Sequence, residues 1–154
     1  GAAVSEALID INTGENRILR ADIIQDCGNS LNEKIDIGQI EGGFIQGLGW
    51  LTCEELYFSK EGKLLTTGPS TYKLPGSRDV PSIFNVKLLE NADNDEKTIF
   101  RSKAVGEPPL LLAISHFLAL KEAIKASSPI ANPELLNSPA TPSEILKAIN
   151  GLTS

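Results

Sequence analysis

Glu107 raises the chemical question. In KAVGEPPLLLAISHFLALKEAIKA, residues 103–126, it stands between a glycine and two prolines, and a strongly apolar helical pattern begins at once. Proline is favoured in a first helical turn, where a missing N–H costs nothing, so Glu107 falls at or just outside a helix N-terminus. The partial positive charge there favours an ionised carboxylate, while desolvation by Leu110, Leu111 and Leu112 disfavours it. A carboxylate held between those pulls stays ionised at neutral pH and can still accept a proton. Gly106 keeps the approach sterically open. A plain helix cap accounts for the same pattern, and the residues alone leave both readings standing.

A second constellation lies in GQIEGGFIQGLG, residues 38–49. Gln39, Gly42 or Gly43, and Gln46 recur every three or four positions, which places amide side chains and bare backbone on one helical face. Amides both donate and accept hydrogen bonds, and glycines let a bulky polar ligand approach the main chain. This suits a pterin or nucleotide head group; tight helix–helix packing explains the glycines equally well. Gly47-x-Gly49 lacks the third glycine of a dinucleotide fingerprint, because Thr52 occupies that place. The one histidine, His116, sits mid-helix among leucines and reads as a core or interface residue rather than a ligand. With two cysteines in unlike contexts, Cys27 and Cys53, it does not make a protein-only zinc site, and no metal ligand is assigned to the chain. Serine and cysteine nucleophiles lack an evident partner base.

These groups need elements to hold them. VSEALIDI alternates as a half-buried strand, NTGEN turns, and RILRADIIQDCG reads as a second strand, so residues 3–27 predict a hairpin. Over 37–58, Ile40, Phe44, Leu48 and Leu51 recur at helical spacing against five glycines, each costing about 1 kcal/mol relative to alanine. LLTTGPSTYKLP predicts a strand and loop, and SRDVPSIFNVKLLE a further strand. Pro108–Ala126 is the best helix, with Leu111, Ile114, Leu118 and Ala119 on its core face and Lys121, Glu122 and Lys125 outward. A proline-punctuated connector leads to a short helix over 142–150, capped by Thr141 and stopped at Gly151. Trp50, Tyr57 and Phe58 read as core. Strands and helices mix without strict βαβ alternation, which predicts an α+β fold.

The 154 residues suit one domain, and the net charge of −6 comes with scattered basic residues. That argues against nucleic-acid binding, which shows as a clustered basic face, and makes the acidity a matter of solubility. Two unpaired thiols point to a reducing, cytoplasmic setting. The longest apolar run, Leu110 to Leu120, falls well short of the roughly 20 residues that cross a bilayer, so no membrane span is expected; nor does a secretory leader open the chain. The sequence contains no methionine and starts directly in a strand, the first sign of a longer polypeptide.

Taken in order, GQIEGGFIQGLG, GPSTYKLP, KAVGEPPLLLA and SPATPSEIL resemble the C-terminal part of the molybdenum-binding (molybdopterin) subunit in the xanthine dehydrogenase family of molybdenum hydroxylases. The likeness spans nearly the whole chain. It implies that Glu107 matches the family's general base and Gln39 the glutamine near the molybdopterin. Gly42, Gly43 and Gln46 continue that cofactor-facing segment, and Ser102, Lys103, Ala104, Val105 and Gly106 lead into the base along the same pocket. The implied cofactor is molybdenum–molybdopterin, with iron–sulfur clusters and FAD on other parts of an oligomeric complex. The implied reaction oxidises hypoxanthine- or xanthine-type purines with water-derived oxygen. Aldehyde-oxidising relatives share the architecture but differ where this chain has Pro108-Pro109, which favours a purine. A non-catalytic scaffold is the other alternative, and it would have no use for an acid at the helix mouth. The chain lacks the cysteine sets for iron–sulfur clusters and the upstream residues that grip substrate. It is therefore expected to be a C-terminal segment that exposes a large apolar patch and is inactive alone.

Overall fold

A computed structural model describes residues 1–152. The fold is α+β, a three-stranded sheet carrying helices on one side. Strand β1 (Ala2–Ile9) pairs antiparallel with β2 (Asn16–Gln25), and β3 (Ile83–Leu88) joins the other edge of β2 in parallel. Alternation is plain in β1, where Ala3, Ser5, Ala7 and Ile9 are half-buried while Val4, Glu6 and Leu8 face out. In β2 the buried residues Ile18 and Ala21 are three apart instead of two. A bulge opposite Glu6 and Ala7 accounts for this, because the extra residue on β2 shifts the phase of the strand.

Helix α1 (Glu33–Thr52) begins at Asn32, whose side chain accepts from the Ile35 N–H at 3.2 Å. Its Ile40, Phe44 and Leu48 pack on Ile18, Ala21 and Ile23 of the sheet. The Phe44 and Phe84 rings, with centroids 5.6 Å apart, tie the helix to β3. Fully burying each side chain of this kind stabilises the fold by about 1.5–3 kcal/mol. A 3₁₀ turn over Pro108–Ala113 runs into α2 (Ile114–Ser127), which lies against β1, and α3 (Pro142–Ile149) closes a second cluster with Leu120, Ile124, Leu136 and Ile145. Thr141 caps α3 by accepting from Glu144 N–H, and Gly151 comes just after it with φ +63°. Both match the sequence expectation.

Three expectations are corrected. No strand forms over 64–75; one bridge, Phe58 to Leu64, gives way to a turn at Gly68–Tyr72. Pro69 offers no N–H to a ladder, and Gly68 breaks the strand before it. Trp50, Tyr57 and Phe58 are exposed, not core. The predicted core face of the long helix is also the wrong one: Leu111 is 62% exposed, Ile114 47% and Leu118 55%, whereas Ala113, His116, Leu120 and Ile124 are buried. Both sides of this helix are apolar, and a periodicity argument cannot choose between them. Its first turn is also 3₁₀, with about three residues per turn, which rotates every later residue of the helix out of the α-helical phase.

Candidate functional site

The site is assembled by a seam between α1 and the 3₁₀ turn. Gly47 makes the seam possible: a Cβ there would stand 2.2 Å from the Leu110 carbonyl oxygen and 2.8 Å from the Ala113 methyl. Gly43 faces the same way, with the Gly106 carbonyl oxygen 3.2 Å from its Cβ position. The two glycines therefore serve close packing, and Gly43 lies under residues 106–110 rather than on an open face. Gly42 is different. It is exposed, with nothing within 4 Å of its Cβ position, and Gln39 and Gln46 flank it on the solvent side of α1.

Gln39 and Gly106, 67 residues apart in sequence, approach each other across this seam. A Cβ on Gly106 would lie 3.3 Å from Gln39 Oε1, so the amide reaches the backbone immediately before Glu107. Glu107 is exposed. Its side chain makes no capping hydrogen bond, while its carbonyl oxygen accepts from the Leu110 N–H at 3.0 Å. Of the two readings of this residue, the side-chain cap is thus absent among the described residues.

The approach segment is anchored at its start. Ser102 bridges to Gly28, and Lys103 donates its N–H to the Cys27 carbonyl oxygen at 2.8 Å and its Nζ to Asp26 at 2.6 Å. Val105 packs on the sheet–α1 core, and Ala104 and Gly106 are exposed. Sequence reasoning missed Asp26 and Gly28. The signal available was the Asp-Cys-Gly ending of the second strand, which reads as an ordinary strand terminus until its partner is known.

Gln39, Gly42, Gln46, Ala104, Gly106 and Glu107 are exposed, whereas Ser102, Lys103 and Val105 are half-buried. A cleft of about 730 Å³ lies elsewhere, between the hairpin turn, the end of α1 and residues 73–82, and none of these residues lines it. Among the described residues no three His, Cys, Asp or Glu side chains converge on a metal position. Gln39, Gly42 and Gln46 form an exposed amide–glycine–amide stripe along α1. Cys27 is buried, and burial pushes its thiol up, as it does the half-buried Cys53 thiol; neither is an activated nucleophile.

Two substitutions separate the glycine roles. Gly47→Ala is expected to destabilise the fold by about 1–3 kcal/mol, since the opposing atom is backbone and cannot turn away. Gly42→Ala is expected to stabilise it by up to about 1 kcal/mol, the helix-propensity gain in open space. Urea unfolding of both variants beside wild type reads the opposite signs directly.

Comparison with known proteins gives the class first. The model of the molybdopterin cofactor-binding domain matches residues 1–81, and the chain belongs to that family. It is 54% identical over 155 residues to the xanthine dehydrogenase/oxidase of Felis catus and 52% identical over 144 residues to the xanthine dehydrogenase of Dictyostelium discoideum. These matches cover 96% and 92% of this chain but only 12% and 10% of the relatives, so the chain spans about one-eighth or less of their length. Among solved structures, the quinoline 2-oxidoreductase of Pseudomonas putida 86 superposes with TM-score 0.80 at 27% identity, over 94% of this chain and 18% of the other. The aldehyde oxidoreductase of Desulfovibrio gigas shares the fold, with TM-score 0.73 at 23% identity over 94% of this chain and 15% of the other.

Proposed function

We propose that this chain is the base-bearing part of a xanthine dehydrogenase-like molybdenum hydroxylase acting on hypoxanthine- or xanthine-type purines. The observation that carries the reading is the approach of Gln39 to Gly106 across the α1 seam, next in sequence to Glu107, whose exposed side chain makes no capping bond. When bound, molybdenum–molybdopterin supplies the two-electron oxidation. The chain's own residues do the rest. Gln39 and Gln46 offer donors and acceptors to the polar cofactor, and exposed Gly42 lets it approach the main chain. Glu107 takes the proton released as water-derived oxygen is transferred, a contribution of about 10²–10⁴-fold.

The partners in this reading are the remaining molybdopterin-binding portion and the iron–sulfur and FAD portions of one cytoplasmic, oligomeric enzyme. Exposed apolar residues on two separate faces, Val4 and Leu8 on the sheet and Leu111 and Leu118 on the long helix, support a covering by further polypeptide. The test is a substrate comparison with the full-length polypeptide. Hypoxanthine is expected to turn over well and a simple aromatic aldehyde poorly, and the isolated 154-residue chain is expected to turn over neither. Preference for the aldehyde would move the assignment to that substrate class, and turnover by the isolated chain would refute its dependence on the rest.

A further inference from the structure

We propose that Asp26 is a positioning residue for Glu107, acting through Lys103. The inference rests on the reading of Glu107 as the base. It starts from the two anchors that bracket the acid. Downstream, Pro108–Ala113 is pinned on α1 by backbone contact at Gly43 and Gly47. Upstream, the chain arrives through two non-glycine residues in the left-handed region, Phe100 at φ +49° and Arg101 at φ +59°. Such backbone persists only where the surroundings over-determine it.

The end of β2 does so. Gly28, at φ +64°, turns residues 27–29 alongside 101–103, and a Cβ on it would stand 2.3 Å from the Arg101 carbonyl oxygen. Two main-chain bonds join the segments, Lys103 N–H to Cys27 O at 2.8 Å and Asn29 N–H to Arg101 O at 3.2 Å. Asp26 locks both strands of this clamp. Its Oδ1 accepts from the Gly28 N–H at 2.9 Å, and its Oδ2 accepts from Lys103 Nζ at 2.6 Å. The lysine ammonium, and then the Gly28 N–H, hold this carboxyl below its usual range. Only Ala104, Val105 and Gly106 separate the clamp from Glu107.

Geometry, not global stability, is what the pair controls. Both side chains are about one-third exposed, and ion pairs of that kind contribute little to folding, about 0–1 kcal/mol. A displacement of about 1 Å at a reacting group can nevertheless cost up to 10²-fold in rate. Gly106 lies next to Glu107 and has the backbone freedom to let the acid drift once the clamp loosens.

Asp26→Asn keeps an oxygen for the Gly28 N–H and removes the charge facing Lys103; Lys103→Met removes the other half. In the full-length holoenzyme each is expected to lower kcat about 10-fold, with KM within about 2-fold. Lys103→Arg is expected to restore most of the loss, and the double variant to be no worse than either single one, as for two halves of one contact. Amide hydrogen exchange over residues 103–106 is expected to speed up in Asp26→Asn and Lys103→Met while the α1 amides keep wild-type protection. Wild-type kcat in Asp26→Asn, or a fall in kcat with unchanged exchange over 103–106, would overturn the proposal. Failure of the base reading is separate: it shows as retained turnover in Glu107→Gln, whereas the exchange data report on the clamp itself.

Discussion

Glu107→Gln in the full-length enzyme is expected to lower kcat/KM by about 10²–10⁴-fold, the range for loss of a general base. The substitution preserves size and hydrogen-bonding shape but leaves no group that can take a proton at neutral pH. The structure makes it a clean probe. The Glu107 side chain is exposed and makes no capping bond, so it has no fold-stabilising partner to lose. Unfolding stability should stay within about 0.5 kcal/mol of wild type, as for surface positions without a special role. Steady-state kinetics and a denaturation curve on the same preparation test both halves. Turnover within a few-fold of wild type would leave the acid without catalytic use and favour a scaffold role for the chain.

The second large effect concerns pH and stability. His116 is buried, its Nδ1 has no partner, and its Nε2 lies 3.4 Å from Asn16 Oδ1. Burial alone pushes its pKa down from 6.5 to about 4. The unfolded chain therefore binds a proton below pH 6.5 that the folded chain refuses until about pH 4. Stability attributable to this residue is full above 6.5 and falls as pH drops through that window, by roughly 3 kcal/mol in total. Urea unfolding at a series of pH values is expected to show that slope, and His116→Leu to abolish it. Asp26 and Glu144, whose carboxyls are held low mainly by Lys103 and Lys147, lose their contribution as pH falls from the ordinary carboxylate range downward, which meets only the acid end of this window. The histidine window is thus separable. An equal slope in His116→Leu would assign the effect to other groups.

His116 also shows why periodicity failed on the long helix. The sequence makes it a core or interface residue, and it is buried on the same side as Leu120 and Ile124. The leucines expected in the core, Leu111 and Leu118, are on the other side. Together the two apolar faces account for burial against β1 and for the apolar surface exposed on the other side of the helix. The aromatic residues Trp50, Tyr57 and Phe58 repeat the lesson: size and hydrophobicity do not say which surface a residue meets.

Local signals did determine a good deal. Alternation and a turn placed the hairpin, and Thr141 and Gly151 bounded α3, because each depends on interactions within a few residues. Helical spacing found α1 despite its glycines but over 37–58, whereas the helix runs Glu33–Thr52 from its Asn32 cap. The Gly-Glu-Pro-Pro and glutamine–glycine blocks also carried the family resemblance. Pairing across long separations was left to the packed molecule. Only folding sorts Gly43 and Gly47 into a packing seam and Gly42 onto an open face, brings Gln39 to Gly106, and sets Asp26 against Lys103. Those contacts depend on how α1, the end of β2 and the 3₁₀ turn pack, and no spacing along the chain encodes a distance between segments that meet only when the apolar core closes.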